Sequence, residues 1–245
     1  MSMEKIGIYD SGCGGLSVLR VLINRYAPKY MYYFSDSGNN PWGNKSKDTL
    51  YGYLTTIHEW FQIHGITHVV TGCNTTVSLF SPSELEALFK CPVTTLFDST
   101  RDYYNATHYT VLSTENSCKH QLFTRFLAPI PAQNIEEIAC PNVAGYIESQ
   151  NDAAAIAYLD TIIAASRYPH IILGCTHYPL VLRTLANNHP SKIIIDPSHY
   201  LRLPFTPATC PQPQIMYTTS GSVQALQHHF RRYTTVSSSQ MHHVL

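Results

Sequence analysis

The strongest constraint on the fold is a rhythm. Short runs rich in Val, Ile and Tyr alternate with longer stretches of helical character along most of the chain. Residues 5–9, 30–34, 68–71 and 92–96 read as strands, separated by helical stretches at 15–26, 45–64 and 75–89. A second series follows, with strands at 108–112, 133–138, 170–173 and 192–195, and helices at 118–126, 152–167 and 180–188. Parallel neighbours need a crossover, and the crossover is usually a helix, so strict alternation means parallel sheets covered by helices on both faces. Ligands in such sheets bind beyond the C-terminal ends of the strands.

Two of these strands end alike. Val69-Val70-Thr71 runs into Gly72-Cys73-Asn74-Thr75, and Ile171-Ile172-Leu173 runs into Gly174-Cys175-Thr176-His177. Asp10, at the tip of the first strand, precedes Cys73 by 63 residues, and Ser113, at the tip of the strand opening the second series, precedes Cys175 by 62. The expected fold is therefore α/β with two similar lobes. Each is a mainly parallel sheet with helices on both faces, and each presents one cysteine to a shared cleft. The segment after Pro204 is proline-rich, then helical at 222–233, and is expected to cross back to the first lobe. That gives lobes at 1–95 plus 208–245 and at 96–207. The closing SSSQMHHVL is expected to fray.

Composition removes several function classes. Lys plus Arg and Asp plus Glu are 16 each, so no broad field attracts nucleic acid or an anionic membrane. No apolar run approaches the ~18 residues of a membrane span. The opening residues lack the charged and apolar regions of a secretory signal, so a cytoplasmic protein is expected. Seven cysteines, without a C-x-x-C pair, fit reduced thiols better than a disulfide framework or a zinc knuckle.

Free cysteines are usually core residues, and Cys13, Cys91, Cys118, Cys140 and Cys210 are read that way. Cys73 and Cys175 differ, because a helix start after each would lower the thiol pKa. Two thiols facing each other suit inversion of a stereocentre: one removes a proton from carbon, the other supplies one to the opposite face. Asp10 and His177 are the candidates for managing the two thiol protons. Ser11, Gly12, Asn74, Thr75, Thr76 and Thr176 lie at expected helix starts, whose free N–H groups bind carboxylates. Lys and Arg are missing from these motif segments, which favours a small zwitterion over a polyphosphate. Residues 35–43, SDSGNNPWG, read as an ordered loop that walls the cleft. Glu148 on its own reads as a solvated acid.

Rival readings are weaker. A dinucleotide fold would use Gly12, Gly14 and Asp36, but Ser17 stands where its third glycine belongs. A cysteine hydrolase built on Cys175 leaves Cys73 unexplained. A metal site on Cys175 and His177 lacks further ligands.

The motifs IGIYDSGCGGLSVLR, NPWGNKS, GCNTTVS, LGCTHYPL and YTTSGSVQALQHHFRRY, in that order over nearly the whole chain, resemble bacterial glutamate racemases. The resemblance implies that Cys73 and Cys175 are catalytic acid/bases assisted by Asp10 and His177, with Glu148 near the second cysteine. It implies substrate-binding positions at Asp10, Ser11, Pro41, Trp42, Gly43, Asn74, Thr75, Ser117, Thr176 and His177. It also implies no cofactor or metal, a glutamate substrate, frequent homodimers and a role in supplying D-glutamate for peptidoglycan. Trp42 departs from the usual tyrosine, Gly72 from the usual alanine, and PSHYLRLP follows Asp196 where small residues are usual. Ser113 and Ser117 stand where glycine and threonine are common. These departures leave room for another acidic amino acid, such as aspartate, or for a racemase-like binding protein with weak turnover.

Overall fold

The computed structural model describes residues 4–98, 104–207 and 209–245; the boundary expected at residue 208 falls outside them. Two wholly parallel sheets form. The first contains β1 (Ile6–Asp10), β2 (Tyr30–Ser35), β3 (His68–Thr71), β4 (Val93–Thr94), β9 (Gln214–Thr219) and β10 (Met241–His243), in the order β10-β9-β2-β1-β3-β4. The second contains β5 (Tyr109–Ser113), β6 (Ile135–Ala139), β7 (His170–Leu173) and β8 (Ile193–Ile195), in the order β6-β5-β7-β8. The block β2-β1-β3-β4 and the block β6-β5-β7-β8 have the same order, so the repeat read from the tip spacing is structural. Asp10 and Ser113 end equivalent strands, and Cys73 and Cys175 follow equivalent strands.

Side chains alternate across each strand and sort the helices onto two faces. Ile6, Ile8, Met31 and Tyr33 pack with α1 (Leu16–Tyr26) and α10 (Val223–Tyr233). Tyr9, Tyr32 and Phe34 pack on the other face with α2 (Lys47–His64) and α4 (Pro82–Phe89). In the second sheet Leu112, Ile171 and Leu173 meet α7 (Val143–Glu148), α8 (Asp152–Ala165) and α9 (Leu182–Asn188). Tyr109, Val111 and Ile172 face α6 (Leu122–Phe126). Among the described residues no helix is long and apolar enough to cross a membrane.

Several expectations are corrected. The helix read over 75–89 is two, α3 (Asn74–Leu79) and α4, because Ser81 starts a new helix. Its hydroxyl accepts the Glu84 N–H while the Glu84 carboxylate accepts the Ser81 N–H, with Pro82 at the first turn. The stretch 118–126 also splits, into α5 (Glu115–Lys119) and α6, around Gln121 in a left-handed conformation. The strand read at 92–96 shortens to β4, and α7 was not foreseen. The tail is not frayed: Met241–His243 add an edge strand to β9. The helix expected from 180 starts at Leu182, after a 3-10 turn over Tyr178–Val181.

Candidate active site

The tips of β1, β2, β3, β5 and β7 converge on one cavity. Its lining includes Ser11, Asn40, Pro41, Trp42, Gly43, Cys73, Asn74, Thr75, Thr176 and His177, with Cys175 among them. Both cysteines expected to act therefore open on the same space, one from each lobe. Asp10 and Glu148 stand behind this lining. Ser117 is not part of it: its backbone N–H donates to the Thr114 hydroxyl, which caps α5, and its own hydroxyl accepts from Thr114 at 2.9 Å.

The lobes are tied together across the cavity by hydrogen bonds. The Asn74 side chain donates to the Gly174 carbonyl at 3.0 Å, and the Thr75 and Thr114 hydroxyls are 3.0 Å apart. Thr176 donates its hydroxyl proton to Asp10 at 2.9 Å. The Cys13 N–H donates to the Glu148 carboxylate at 2.5 Å. Such approach needs missing side chains. At Gly12 an added Cβ would collide with Oε1 of Glu148. At Gly174 it would lie 2.7 Å from the Phe123 ring and 3.0 Å from the Leu112 carbonyl, so only glycine turns this strand into its cysteine.

The two thiols have different surroundings. Cys73 caps α3, yet its pKa is pushed up to about 11 rather than lowered. Burial is the main cause and the Asp10 charge adds to it, while the Thr76 N–H and hydroxyl pull the other way. A six-residue helix does not outweigh that desolvation. Cys175 precedes a 3-10 turn, not an α-helix, and the group at its sulfur is His177, with Nδ1 at 3.7 Å. His177 Nε2 lies 2.7 Å from Glu148 Oε1.

Charge around this relay is well defined. Burial works against protonation of His177, but hydrogen bonds to the Cys13 and Cys175 thiols and to Glu148 reverse the effect, and its pKa lies well above the ordinary value. Burial pushes Glu148 up, but the hydrogen bond and charge of His177, with the Cys13 N–H and the His229 charge, together outweigh it and hold the carboxyl below the usual range. Both shifts describe one ion pair, an imidazolium on a carboxylate. Glu148 is thus not the solvated acid its sequence context implied. Asp10, fully buried, is raised to about 6 by desolvation, with the His177 charge, the Thr176 hydroxyl and the Gly12 N–H drawing it down.

Five participants were not picked out from sequence. Asn40 donates its side-chain amide to the Ser11 carbonyl at 3.0 Å. Thr114 lines the cavity as the cap of α5, a role the T-E-N-S pattern after Ser113 could have suggested. Cys140, assigned to plain core, also lines the cavity, and Tyr178 donates its hydroxyl proton to the Cys140 carbonyl at 2.9 Å. His229, on α10, lies 3.2 Å from the Glu148 carbonyl, and nothing in its local sequence marks it. Among the described residues Cys13, Glu148 and His229 bring three possible metal-ligand atoms within 4.8 Å of one another. The Glu148 carboxylate there is already committed to His177 and to the Cys13 N–H, so the donor set serves the relay.

No family model matches the sequence. Glutamate racemases of Synechococcus sp. and Carboxydothermus hydrogenoformans are each 31% identical to it, over 206 and 204 residues. These alignments cover 81% and 80% of this chain, and 77% and 76% of the relatives. A glutamate racemase isoform from Bacillus anthracis superposes with a TM-score of 0.84 at 20% identity, covering 100% of this chain and 97% of that one. The Francisella tularensis glutamate racemase, solved in complex with D-glutamate, superposes with a TM-score of 0.79 at 19% identity, over 100% and 97%. The superpositions establish the two-lobed fold, and the sequence relatives establish the lineage. This chain belongs to the glutamate racemase family and is an amino-acid racemase, an isomerase.

Proposed function

We propose that the protein interconverts L- and D-glutamate without a cofactor, by proton transfer at Cα between two cysteines. The observation that carries this reading is the pair of buried thiols, Cys73 and Cys175, opening from opposite lobes onto one cavity. A planar carbanion formed between them can be reprotonated on either face.

Each thiol has its own proton partner. Cys73 holds its proton at neutral pH, with its pKa at about 11, and Asp10 at about 6 is then mostly a carboxylate able to take that proton. On the other side both ring nitrogens of His177 face acceptors, Cys175 Sγ and Glu148 Oε1, as an imidazolium requires. That imidazolium stabilises negative charge on the Cys175 sulfur as a proton leaves it. The substrate carboxylates are held by neutral donors, because hydroxyls and amides of Ser11, Asn40, Asn74, Thr75, Thr114 and Thr176 line the cavity and no Lys or Arg is among its described lining residues. Glu115 also lines it and is exposed.

The same reading includes lobes at 1–95 plus 208–245 and at 96–207, assembly as a homodimer, a cytoplasmic location, and supply of D-glutamate to peptidoglycan synthesis. The test is proton NMR of each glutamate enantiomer, and of L-aspartate, in D₂O with purified protein and nothing added. Loss of the Cα proton signal from both glutamates, with optical rotation decaying to zero, is the expected result. Exchange with aspartate alone would keep the mechanism and change the substrate. Exchange with neither would refute the reading.

A further inference from the structure

The loop that walls the cavity is held by a residue that the racemisation scheme does not use. Asp36 follows β2, is 3% exposed, and donates its backbone N–H to the Asp10 carbonyl at 2.9 Å. It therefore sits beside the tip that carries the Cys73 partner. Its carboxylate points away from the cavity chemistry, into the loop. Oδ1 accepts from the Asn39 side chain at 2.9 Å, and Oδ2 accepts from the Trp42 indole N–H at 3.0 Å.

Trp42 is the largest side chain of this wall and is 1% exposed. Its ring packs against Tyr9, with centroids 6.4 Å apart, and Tyr53, at 5.8 Å. Tyr9 in turn stacks on Phe89 at 5.3 Å, and Cys73 belongs to the same packed cluster. The position of the indole is thus transmitted to the wall on the Cys73 side. An indole N–H donates and never accepts, while a carboxylate only accepts, so the two are matched partners. A buried carboxylate that lost this donor would pay a desolvation cost unless the loop moved. With the Asn39 amide and the Ser220 hydroxyl on the same carboxylate, the hydrogen bond ties the ring to the loop.

We propose that Asp36 is a positioning residue for the racemase site: through the Trp42 indole it sets the width of the cavity, and so which side-chain length of acidic amino acid is bound productively. The proposal rests on the reading of the cavity as an acidic amino-acid racemase site. Asp36 itself touches no substrate.

The experiment is done on the full-length protein carrying Trp60→Phe, which leaves Trp42 as the only tryptophan of the two in the chain. Asp36→Ala, Asp36→Asn and Trp42→Phe are compared in KM and kcat for L-glutamate, D-glutamate and L-aspartate, and the Asp36 variants in acrylamide quenching of Trp42. Misplacing a binding wall by a fraction of an ångström is expected to raise KM for glutamate about tenfold, with kcat within about threefold. Asp36→Asn keeps an oxygen for the indole and is expected to recover most of that loss. Asp36→Ala is expected to make Trp42 more quenchable and to change the glutamate-to-aspartate preference. Trp42→Phe is expected to match Asp36→Ala in KM, and the double variant to be no worse than either single one. A multiplicative double variant, or an Asp36→Ala protein with unchanged KM and unchanged quenching, overturns the proposal. If Asp36→Ala does not fold, Trp42→Phe and Asp36→Asn decide it by the same KM comparison. If the parent exchanges no amino acid in D₂O, the racemase reading fails separately, and quenching alone then decides whether Asp36 fixes Trp42.

Discussion

Asp10→Asn should make this protein more stable at neutral pH while disabling it. Asp10 is fully buried, and its pKa rises from 3.8 to about 6, chiefly through desolvation. At 1.36 kcal/mol per unit, that shift corresponds to ~3 kcal/mol. Below the unfolded value both states hold the proton, and the folded state loses nothing. As pH rises from about 4 to about 6, the unfolded chain gives up this proton while the buried carboxyl keeps it, and stability falls by that amount, levelling off once the folded group ionises too. Asparagine removes the titration. Its single carbonyl oxygen can accept from the Thr176 hydroxyl or from the Gly12 N–H, but not from both, a loss of ~1 kcal/mol at every pH. The difference in unfolding free energy, variant minus wild type, should therefore be slightly negative at about pH 4 and reach roughly +2 kcal/mol at about pH 7.5. Urea unfolding of both proteins across that window measures it. The hydrogen-bond mismatch is independent of pH, so the slope isolates the charge effect. A difference that is flat across the window, or that falls as pH rises, refutes the argument. Racemisation at neutral pH should drop by ~10²-fold or more.

Other outcomes follow from the same geometry. Cys73→Ser and Cys175→Ser should each abolish racemisation in both directions, yet each should retain elimination of a good leaving group from one enantiomer only; equal residual racemisation in both would count against two opposed bases. Glu148→Gln removes one of the partners that, with the Cys13 and Cys175 thiols, keep His177 protonated, so the alkaline limb of the kcat/KM profile should move to lower pH and kcat should fall by ~10²-fold. Gly12→Ala should destabilise the fold by ~1–3 kcal/mol and lower kcat, because the new Cβ displaces the Glu148 carboxylate; unfolding curves and turnover report both. Ser81→Ala, remote from the cavity, should cost ~1 kcal/mol in unfolding free energy with unchanged KM.

The strands were readable because parallel strands buried on both faces are written as β-branched runs, and the cysteines because each run stops in glycine. The break at Ser81 is also written in the chain, as Ser-Pro-Ser-Glu, but lies inside a longer helical pattern that masks it. Glu148 was legible only through family likeness. Its burial depends on His177, which stands on another element of the same lobe, and on the Cys13 N–H, which meets it only once the lobes close. His229 had no local signal for the same reason. Met241–His243 gave none either, since a short polar edge strand is decided by the neighbour it finds, here β9. The expected lowering of the Cys73 pKa failed because a helix end acts over one turn, whereas burial acts from all sides.

The first sheet is not continuous in the chain. β1 to β4 come first, then the whole of the second sheet, and only then β9, which pairs along the full length of β2 from Tyr30 with Gln214 to Ser35 with Thr219. This has a consequence for synthesis on the ribosome. The second sheet has its four strands in unbroken succession and can close while the first waits. Until β9 emerges, β2 presents a row of unpaired backbone groups, the kind of edge that recruits foreign strands. The lobe that is begun first is therefore finished last. Polypeptides arrested between β8 and β9 should be the ones that aggregate or engage chaperones, whereas those in which Thr219 has cleared the ribosome should not.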